Sequence, residues 1–196
     1  MNPLAYEELL SRLDHFSLAP RVIVDISGNG EGSGASLSKR FPKSRLISTG
    51  RPGQSKDGGG FTLSRLWDRK PRVEYLACNP EQIPLADRSV DLIVAYDWSA
   101  GVDTLDAVLG ELHRILASGG VFLCASPGPL SVPGLADIHD FGSALMRAGF
   151  VEPVLDVDRY TGEEGEVIHV AAFAGSHRHQ GDDGEFVVPI SKISRR

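Results

Sequence analysis

The sequence predicts one α/β domain built on a doubly wound, Rossmann-like sheet. Short apolar runs alternate with amphipathic helical segments along the 196-residue chain, which is typical of parallel strands joined by right-handed helical crossovers. A glycine-rich turn follows the first apolar run, as it does in folds that bind nucleotides. The composition, 41% hydrophobic and 23% charged, suits a single globular domain over residues 1–196 with a real core.

The first half of the sequence predicts two helices and three strands. Residues 1–20 hold the helix, because Tyr6 to Phe16 carries apolar side chains at helical spacing and Pro20 closes the connection to the sheet. The stretch Gly50 to Gly60 predicts a mobile loop before the third strand. The other predicted elements are strand one at Val22–Ile26, a crossover helix at Ala35–Phe41, strand two at Arg45–Ser48 and strand three at Val73–Ala77.

The second half predicts two amphipathic helices and four strands. Glycines are expected to end both helices with left-handed caps, Gly119 and Gly120 after the first and Gly149 after the second. The two last apolar runs suit a closing antiparallel pair. The predicted elements are strand four at Asp91–Tyr96, a helix at Asp103–Leu116, strand five at Val121–Ala125, a helix at Asp137–Ala148, the closing pair at Phe150–Val157 and Val167–Ala174, and a C-terminal extension over residues 175–196.

The turn after the first strand is the strongest functional signal in the residues themselves. Asp25 is followed by Gly28 and Gly30 in a run that opens a helix; such glycines let the backbone approach a ligand, and the helix N-terminus offers free N–H groups. The dinucleotide fingerprint fails at Ser33, where its third glycine is required, and no lysine follows for a phosphate loop. The turn therefore indicates either a nucleotide or adenosyl cofactor or a flexible turn without one.

Composition argues against nucleic acid and membranes as partners. The net charge is −6, and the basic cluster at the C-terminus, Lys192, Arg195 and Arg196, is short. No signal peptide or membrane-spanning apolar run is recognised. Cys78 and Cys124 lie in apolar runs without Cys-x-x-Cys spacing, so we expect buried free thiols in a reducing compartment, which predicts a cytoplasmic protein.

The histidines form no recognisable catalytic or metal-binding set in the sequence. His113, His139 and His169 are widely separated, and no G-x-S-x-G motif is present. His177 and His179 form one short pair in the tail, which indicates either a metal site or, as we interpret it, a solvated loop. The sequence therefore predicts no metal site and assigns no catalytic residue.

Two longer runs resemble class I S-adenosylmethionine-dependent methyltransferases. They are E-Q-I-P-L-A-D-R-S-V-D-L-I-V-A from Glu81 and L-H-R-I-L-A-S-G-G-V-F-L from Leu112. The run A-D-I-H-D-F-G-S-A-L-M-R-A-G-F from Ala136 is similar, more narrowly, to the malonyl-acyl-carrier-protein O-methyltransferases of biotin synthesis. The resemblance covers about Leu13 to Ile193.

This resemblance implies a sheet topology, a cofactor and a set of site residues. The sheet would have seven strands in the order 3-2-1-4-5-7-6, with the last strand antiparallel. The cofactor would be S-adenosylmethionine. The residues that would border it are Asp25, Gly28, Gly30, Asn79, Pro80 and Asp97.

The chain departs from the family pattern where this cofactor would bind. Ser27, Asn29 and Glu31 stand where the family has three glycines, and Gly50 replaces the acid that holds the ribose hydroxyls. Losing charge-assisted hydrogen bonds costs about 1.5–3 kcal/mol, or roughly ten- to hundredfold in affinity. Asn79, where the family often has aspartate, is a milder change because its amide oxygen still accepts a hydrogen bond.

The segments that cover the substrate in the family are also reduced. Tyr160 to Glu166 joins strands six and seven directly, where the family has a long helical insertion, and the N-terminal arm is a short helix. After strand four, Asp97 and Trp98 replace the family's Leu-Gln-Trp run, and they either wall the methyl donor or cap the strand and pack the core. A lidless site excludes water poorly, which disfavours methyl transfer.

We therefore predict a methyltransferase fold that has lost catalysis and serves as a binding or regulatory subunit. An apolar rim left by the missing lid favours a protein partner, either an active methyltransferase or a second copy of this chain. Two alternatives stay open. One is an active S-adenosylmethionine-dependent methyltransferase acting on a small or carrier-bound carboxylate, and the other is a purely structural domain.

Overall fold

The structure is a computed structural model that describes residues 3–27, 33–50, 73–98, 101–159 and 165–175. Its helices are α1 (Pro3–Ser11), α2 (Ser33–Arg40), α3 (Val102–Ile115) and α4 (Ile138–Ala148), and a 3-10 turn (Arg12–His15) follows α1. Its strands are β1 (Val22–Ser27), β2 (Arg45–Gly50), β3 (Val73–Ala77), β4 (Val90–Tyr96), β5 (Leu116–Pro127), β6 (Phe150–Arg159) and β7 (Glu166–Ala174).

The strands form a seven-stranded sheet in the order β3-β2-β1-β4-β5-β7-β6. Strands β1 to β5 pair in parallel, whereas β7 runs antiparallel to both β5 and β6. The predicted doubly wound sheet and its closing antiparallel pair are therefore confirmed. The parallel strands end together at one side of the sheet, here called the carboxyl edge, which is where open α/β sheets bind ligands.

Two apolar clusters fill the two faces of the sheet. Successive residues of a strand point to opposite faces, so Val24 packs toward α3 and α4 while Ile23 packs toward α1 and α2. Leu9 and Leu13, which are 0% and 2% exposed, join the second cluster. The N-terminal helix is thus part of the core, and each such buried side chain contributes about 1.5–3 kcal/mol.

The two long helices end in different ways. Gly149 ends α4 in the left-handed conformation with φ 95°, as predicted. The predicted glycine cap of α3 is wrong, because the helix stops at Ile115 and Leu116 is already extended. Leu116 is buried and pairs with Val90 of β4, so strand pairing redirects the chain before the glycines are reached.

The D-I-H-D run before α4 is a helix cap. The Asp137 carboxylate accepts hydrogen bonds from the backbone N–H groups of His139 and Asp140, both at 2.8 Å. The Asp140 carboxylate accepts in return from the Asp137 N–H at 3.0 Å, which completes a capping box. The N–H groups of Asp140 and His139 hold the pKa of Asp137 below its usual value. Both acids of this run therefore start a helix.

The two cysteines bear out a composition-based prediction. Cys78 and Cys124 are free and buried, as predicted, and burial raises the pKa of both thiols, so neither is activated as a nucleophile. Within the described segments, no helix has the length and apolar character that crossing a bilayer requires.

Candidate functional site

Four of the predicted cofactor residues lie at the carboxyl edge. Asp25 lies near the end of β1, Asn79 and Pro80 follow β3, and Asp97 follows β4. Strand β1 lies between β2 and β4, so the ends of these strands are neighbours. The cofactor roles of all these residues stay predictions. Several other predicted positions lie outside the described residues: Gly28, Gly30, Glu31, the glycine-rich stretch beyond Gly50, and the tail that holds His177 and His179.

Asp25 is a buried acid beneath the N-terminal helix. It is 1% exposed and lies on the face of the sheet that α1 and α2 cover. The pKa of Tyr6 on α1 is raised by burial and by the charge of Asp25, while a hydrogen bond with the Ser36 side chain opposes the rise. The Tyr6 ring also packs edge-on against Tyr96, with ring centroids 4.8 Å apart. A tyrosine that sequence periodicity assigns only to the helix core therefore lies beside the acid of the first strand.

Asp97 and Trp98, which follow β4, lie in different surroundings: Trp98 packs in the core, and Asp97 stays at the carboxyl edge. Trp98 is 6% exposed and packs edge-on against Phe122 and Phe141 at 6.3 and 6.1 Å between ring centroids, so it fills the core. Asp97 adopts the left-handed conformation with φ 54°, which aspartate tolerates better than most residues. Burial raises the pKa of the Asp97 carboxyl. Asp97 therefore remains at the edge as a half-buried acid.

Asn79 shapes a turn beside a groove. The side-chain oxygen of Asn79 accepts a hydrogen bond from the Glu81 N–H at 3.3 Å. The backbone carbonyl oxygen of Asn79 accepts from the Gln82 N–H at 2.9 Å. A groove of about 540 Å³ lies next to this turn, and Cys78 and Glu111 are among its lining residues. Asn79 is exposed, so its amide is accessible to a ligand at the end of β3.

The end of β2 is filled by a tyrosine of the neighbouring strand. A Cβ built on Gly50 would overlap the Tyr75 hydroxyl and would lie 3.0 Å from Tyr75 Cζ. Tyr75 belongs to the edge strand β3 and is 44% exposed. A side chain at position 50 therefore requires Tyr75 to move, and the phenol stands where an acid at this strand end would project.

The side chain of Arg114 on α3 makes several contacts with the run from Glu81 to Val90. Arg114 donates to the carbonyl oxygens of Ile83 at 2.9 Å and Leu85 at 3.0 Å. It also donates to Glu111 at 2.8 Å and pairs with Asp87. The Arg114 guanidinium, with the N–H of Ile83 at 2.7 Å, holds the pKa of Glu111 below its usual value. The arginine of the R-I-L motif thus has a structural role.

The chain is similar in sequence to several methyltransferases. A family model described as a methyltransferase domain matches residues 61–124. The malonyl-[acyl-carrier protein] O-methyltransferase of Laribacter hongkongensis is 34% identical over 179 residues, covering 78% of this chain and 58% of the relative. That of Nitrosospira multiformis is 30% identical over 220 residues, covering 91% of this chain and 70% of the relative. The chain thus spans little more than half of the first relative.

Solved structures share the fold at low identity. Geranyl diphosphate C-methyltransferase from Streptomyces coelicolor, solved with Mg²⁺, geranyl diphosphate and S-adenosyl-L-homocysteine, superposes with a TM-score of 0.65 at 18% identity, covering 86% of this chain and 78% of that one. A complex of the Haloferax volcanii Trm112 methyltransferase activator with a methyltransferase gives a TM-score of 0.62 at 18% identity, covering 89% and 90%. Both likenesses concern the fold alone.

Proposed function

Because the chain belongs to the malonyl-acyl-carrier-protein O-methyltransferase family, we propose that it is a member that has lost methyl transfer and serves as a binding or regulatory subunit. The observation that carries this proposal is the end of β2, where Gly50 offers no carboxylate and Tyr75 occupies the space beside it. The Tyr75 phenol does not replace the hydrogen bonds that a carboxylate at position 50 would accept from the ribose hydroxyls, which are worth about 1.5–3 kcal/mol.

The cofactor that the family implies, S-adenosylmethionine, fits this edge only in part. Asp25, Asn79, Pro80 and Asp97 keep places that would border it, and Gly28 and Gly30 are proposed to approach it. The ribose end fits poorly, because no acid stands at position 50 and a side chain there would require Tyr75 to move. We therefore propose weak cofactor binding.

The connection between β6 and β7 supports the same proposal. Residues 160–165 alone join the two strands, so the helical insertion that the family resemblance implies over the substrate is missing here. Methyl transfer benefits from a site that excludes water and aligns the reacting atoms. Without that cover, we expect the malonyl group that the relatives' name indicates to be poorly shielded from water by the described residues of this edge.

An apolar loop next to this short connection is the proposed contact for a partner. Leu130 and Val132 are 68% and 44% exposed. Between them, the Ser131 hydroxyl donates to the Glu166 carbonyl at 2.7 Å and accepts from the Glu166 N–H at 2.6 Å. The loop is thus fixed at the start of β7, and exposed apolar side chains on a fixed loop favour an interface. The activator complex of the Haloferax structure adds support by analogy for a protein partner.

Sedimentation velocity tests the partner role. The full chain is expected to associate at about 10 µM, with itself or with the Laribacter or Nitrosospira enzyme. Leu130→Ser with Val132→Ser should weaken that association at least about tenfold, because interface anchors carry much of the binding energy. Met146→Ser on α4, where Met146 is 62% exposed, is the matched control and should change nothing. A chain that stays monomeric at about 100 µM, alone and mixed, would contradict the proposal.

The second candidate is an active methyltransferase on a small or carrier-bound carboxylate. The retained positions of Asp25 and Asp97 at the carboxyl edge favour it. Mass spectrometry of ligand released from freshly purified protein, with transfer of a labelled methyl group to malonyl carrier protein, separates the two candidates. Stoichiometric adenosyl ligand with methyl transfer supports the enzyme, and absence of both supports the subunit.

A further inference from the structure

Three polar side chains meet where the N-terminal helix packs on the last two strands. Glu8 lies on α1, Asp158 near the end of β6, and His169 in β7 beside it. One ligand-type atom from each lies within 4.8 Å of the other two. The Nε2 atom of His169 is 3.2 Å from Oδ2 of Asp158. The group therefore combines one imidazole with two carboxylates.

His169 is buried without a hydrogen bond among the described residues. Its side chain is 0% exposed, and neither Nδ1 nor Nε2 has a partner in hydrogen-bond geometry there. Asp158 Oδ2, despite its short distance to Nε2, is unsatisfied in the same way. Buried polar atoms are normally paired with protein, water or an ion. An imidazole aimed at two carboxylates without such a bond indicates that a ligand completes the site.

Charged side chains lie around His169. Arg12 pairs with Asp156 at 3.1 Å and lies 3.8 Å from Asp158. The carboxylates of Glu8, Asp156 and Asp158 and the guanidinium of Arg12 all act electrostatically on His169. A divalent cation at the meeting point would lower the repulsion among the three carboxylates. Arg12 would stay paired with Asp156 on the outer side.

We propose that Glu8, Asp158 and His169 bind a divalent first-row transition-metal ion, with Zn²⁺ as the reference ion. A neutral imidazole with carboxylate oxygens suits such ions better than Mg²⁺ or Ca²⁺, which prefer oxygen ligands alone. Ligand atoms around tetrahedral zinc lie roughly 3.4 Å apart, so a small rotation of the half-buried Glu8 side chain closes the site, and water takes the fourth position.

The site has a consequence for the N-terminal helix. The ion would fasten α1 to β6 and β7, and α1 is the helix that places Tyr6 beside Asp25.

Calorimetric titration of the chelator-treated full chain with ZnCl₂ tests the site. We expect one ion per chain with a Kd below about 10 µM. Glu8→Gln, Asp158→Asn and His169→Gln should each weaken binding at least about tenfold, as loss of a metal ligand does. Glu7→Gln removes the same charge from an exposed neighbour on α1 and should leave the Kd unchanged. Zn²⁺ should also slow amide hydrogen exchange in residues 3–15.

Two further variants keep the outcome decisive. His177→Gln with His179→Gln should retain binding, which separates this site from the histidine pair of the tail. Circular dichroism identifies any variant that fails to fold. If Asp158→Asn or His169→Gln fails to fold, the Zn²⁺ affinities of Glu8→Gln and Glu7→Gln are compared instead, because Glu8 is only half-buried on α1. Absence of binding at about 1 mM Zn²⁺, loss of binding in the tail variant, or equal weakening by Glu7→Gln and Glu8→Gln would overturn the proposal.

Discussion

Replacing Arg114 by alanine is expected to lower the free energy of unfolding by about 2–4 kcal/mol, because hydrogen bonds to charged groups contribute about 1.5–3 kcal/mol each and buried partners are left unpaired. The variant frees the carbonyl oxygens of Ile83 and Leu85. It also leaves the Glu111 carboxylate, whose side chain is 13% exposed, without the positive charge of Arg114. The bond to Asp87 adds little, since that carboxylate is 73% exposed.

Urea unfolding of three variants measures this effect. Arg147→Ala is the matched control, because Arg147 pairs with Asp106 while both side chains are 59% exposed, and surface pairs are worth about 0–1 kcal/mol. Arg114→Lys keeps the charge but loses the fork geometry, so it should fall between the two. If Arg114→Ala lowered the free energy of unfolding no more than Arg147→Ala does, Arg114 would not stabilise the run from Glu81 to Val90.

Restoring an acid at the end of β2 is expected to strengthen binding of S-adenosylhomocysteine about ten- to hundredfold, the equivalent of one charge-assisted hydrogen-bond set. The change is Gly50→Asp together with Tyr75→Ala, because a Cβ at position 50 overlaps the Tyr75 hydroxyl. Tyr75 is 44% exposed on an edge strand, so its truncation should cost little stability.

The single variants separate charge from space in this experiment. Tyr75→Ala alone opens the position without adding a carboxylate and should leave the affinity near that of the unaltered chain. Gly50→Asp alone should gain less than the double variant, since Tyr75 must first move. Isothermal titration with S-adenosylhomocysteine gives each Kd. If the double variant bound no better than Tyr75→Ala, position 50 would not limit cofactor binding.

The fold follows from sequence signals that act locally. Alternating strand and helix periodicity predicts the sheet, and Gly149 marks a helix end that the structure confirms at φ 95°. The end of α3 was not predictable in this way, because pairing of Leu116 with Val90 overrides the later glycines. Glycines predict the end of a helix only where no neighbouring strand pairs with the chain before the glycines are reached, as β4 does here with Leu116.

The candidate site was predictable only in part. Motif positions place Asp25, Asn79 and Asp97 at the carboxyl edge. The contacts that decide the chemistry join residues far apart in sequence, such as Tyr6 with Asp25 and Gly50 with Tyr75. The group of Glu8, Asp158 and His169 is hidden for the same reason, since metal-ligand spacing in sequence shows only ligands that lie close together along the chain.

Isothermal titration of the unaltered full chain with S-adenosylhomocysteine and S-adenosylmethionine tests the central claim most directly. The proposed loss of the ribose-binding acid predicts no binding tighter than about 100 µM for either compound. An Asp25→Asn variant serves as the site control, because Asp25 is the buried acid of the first strand. Binding at about 1 µM that disappears in Asp25→Asn would contradict the account and would favour the second candidate, an active methyltransferase.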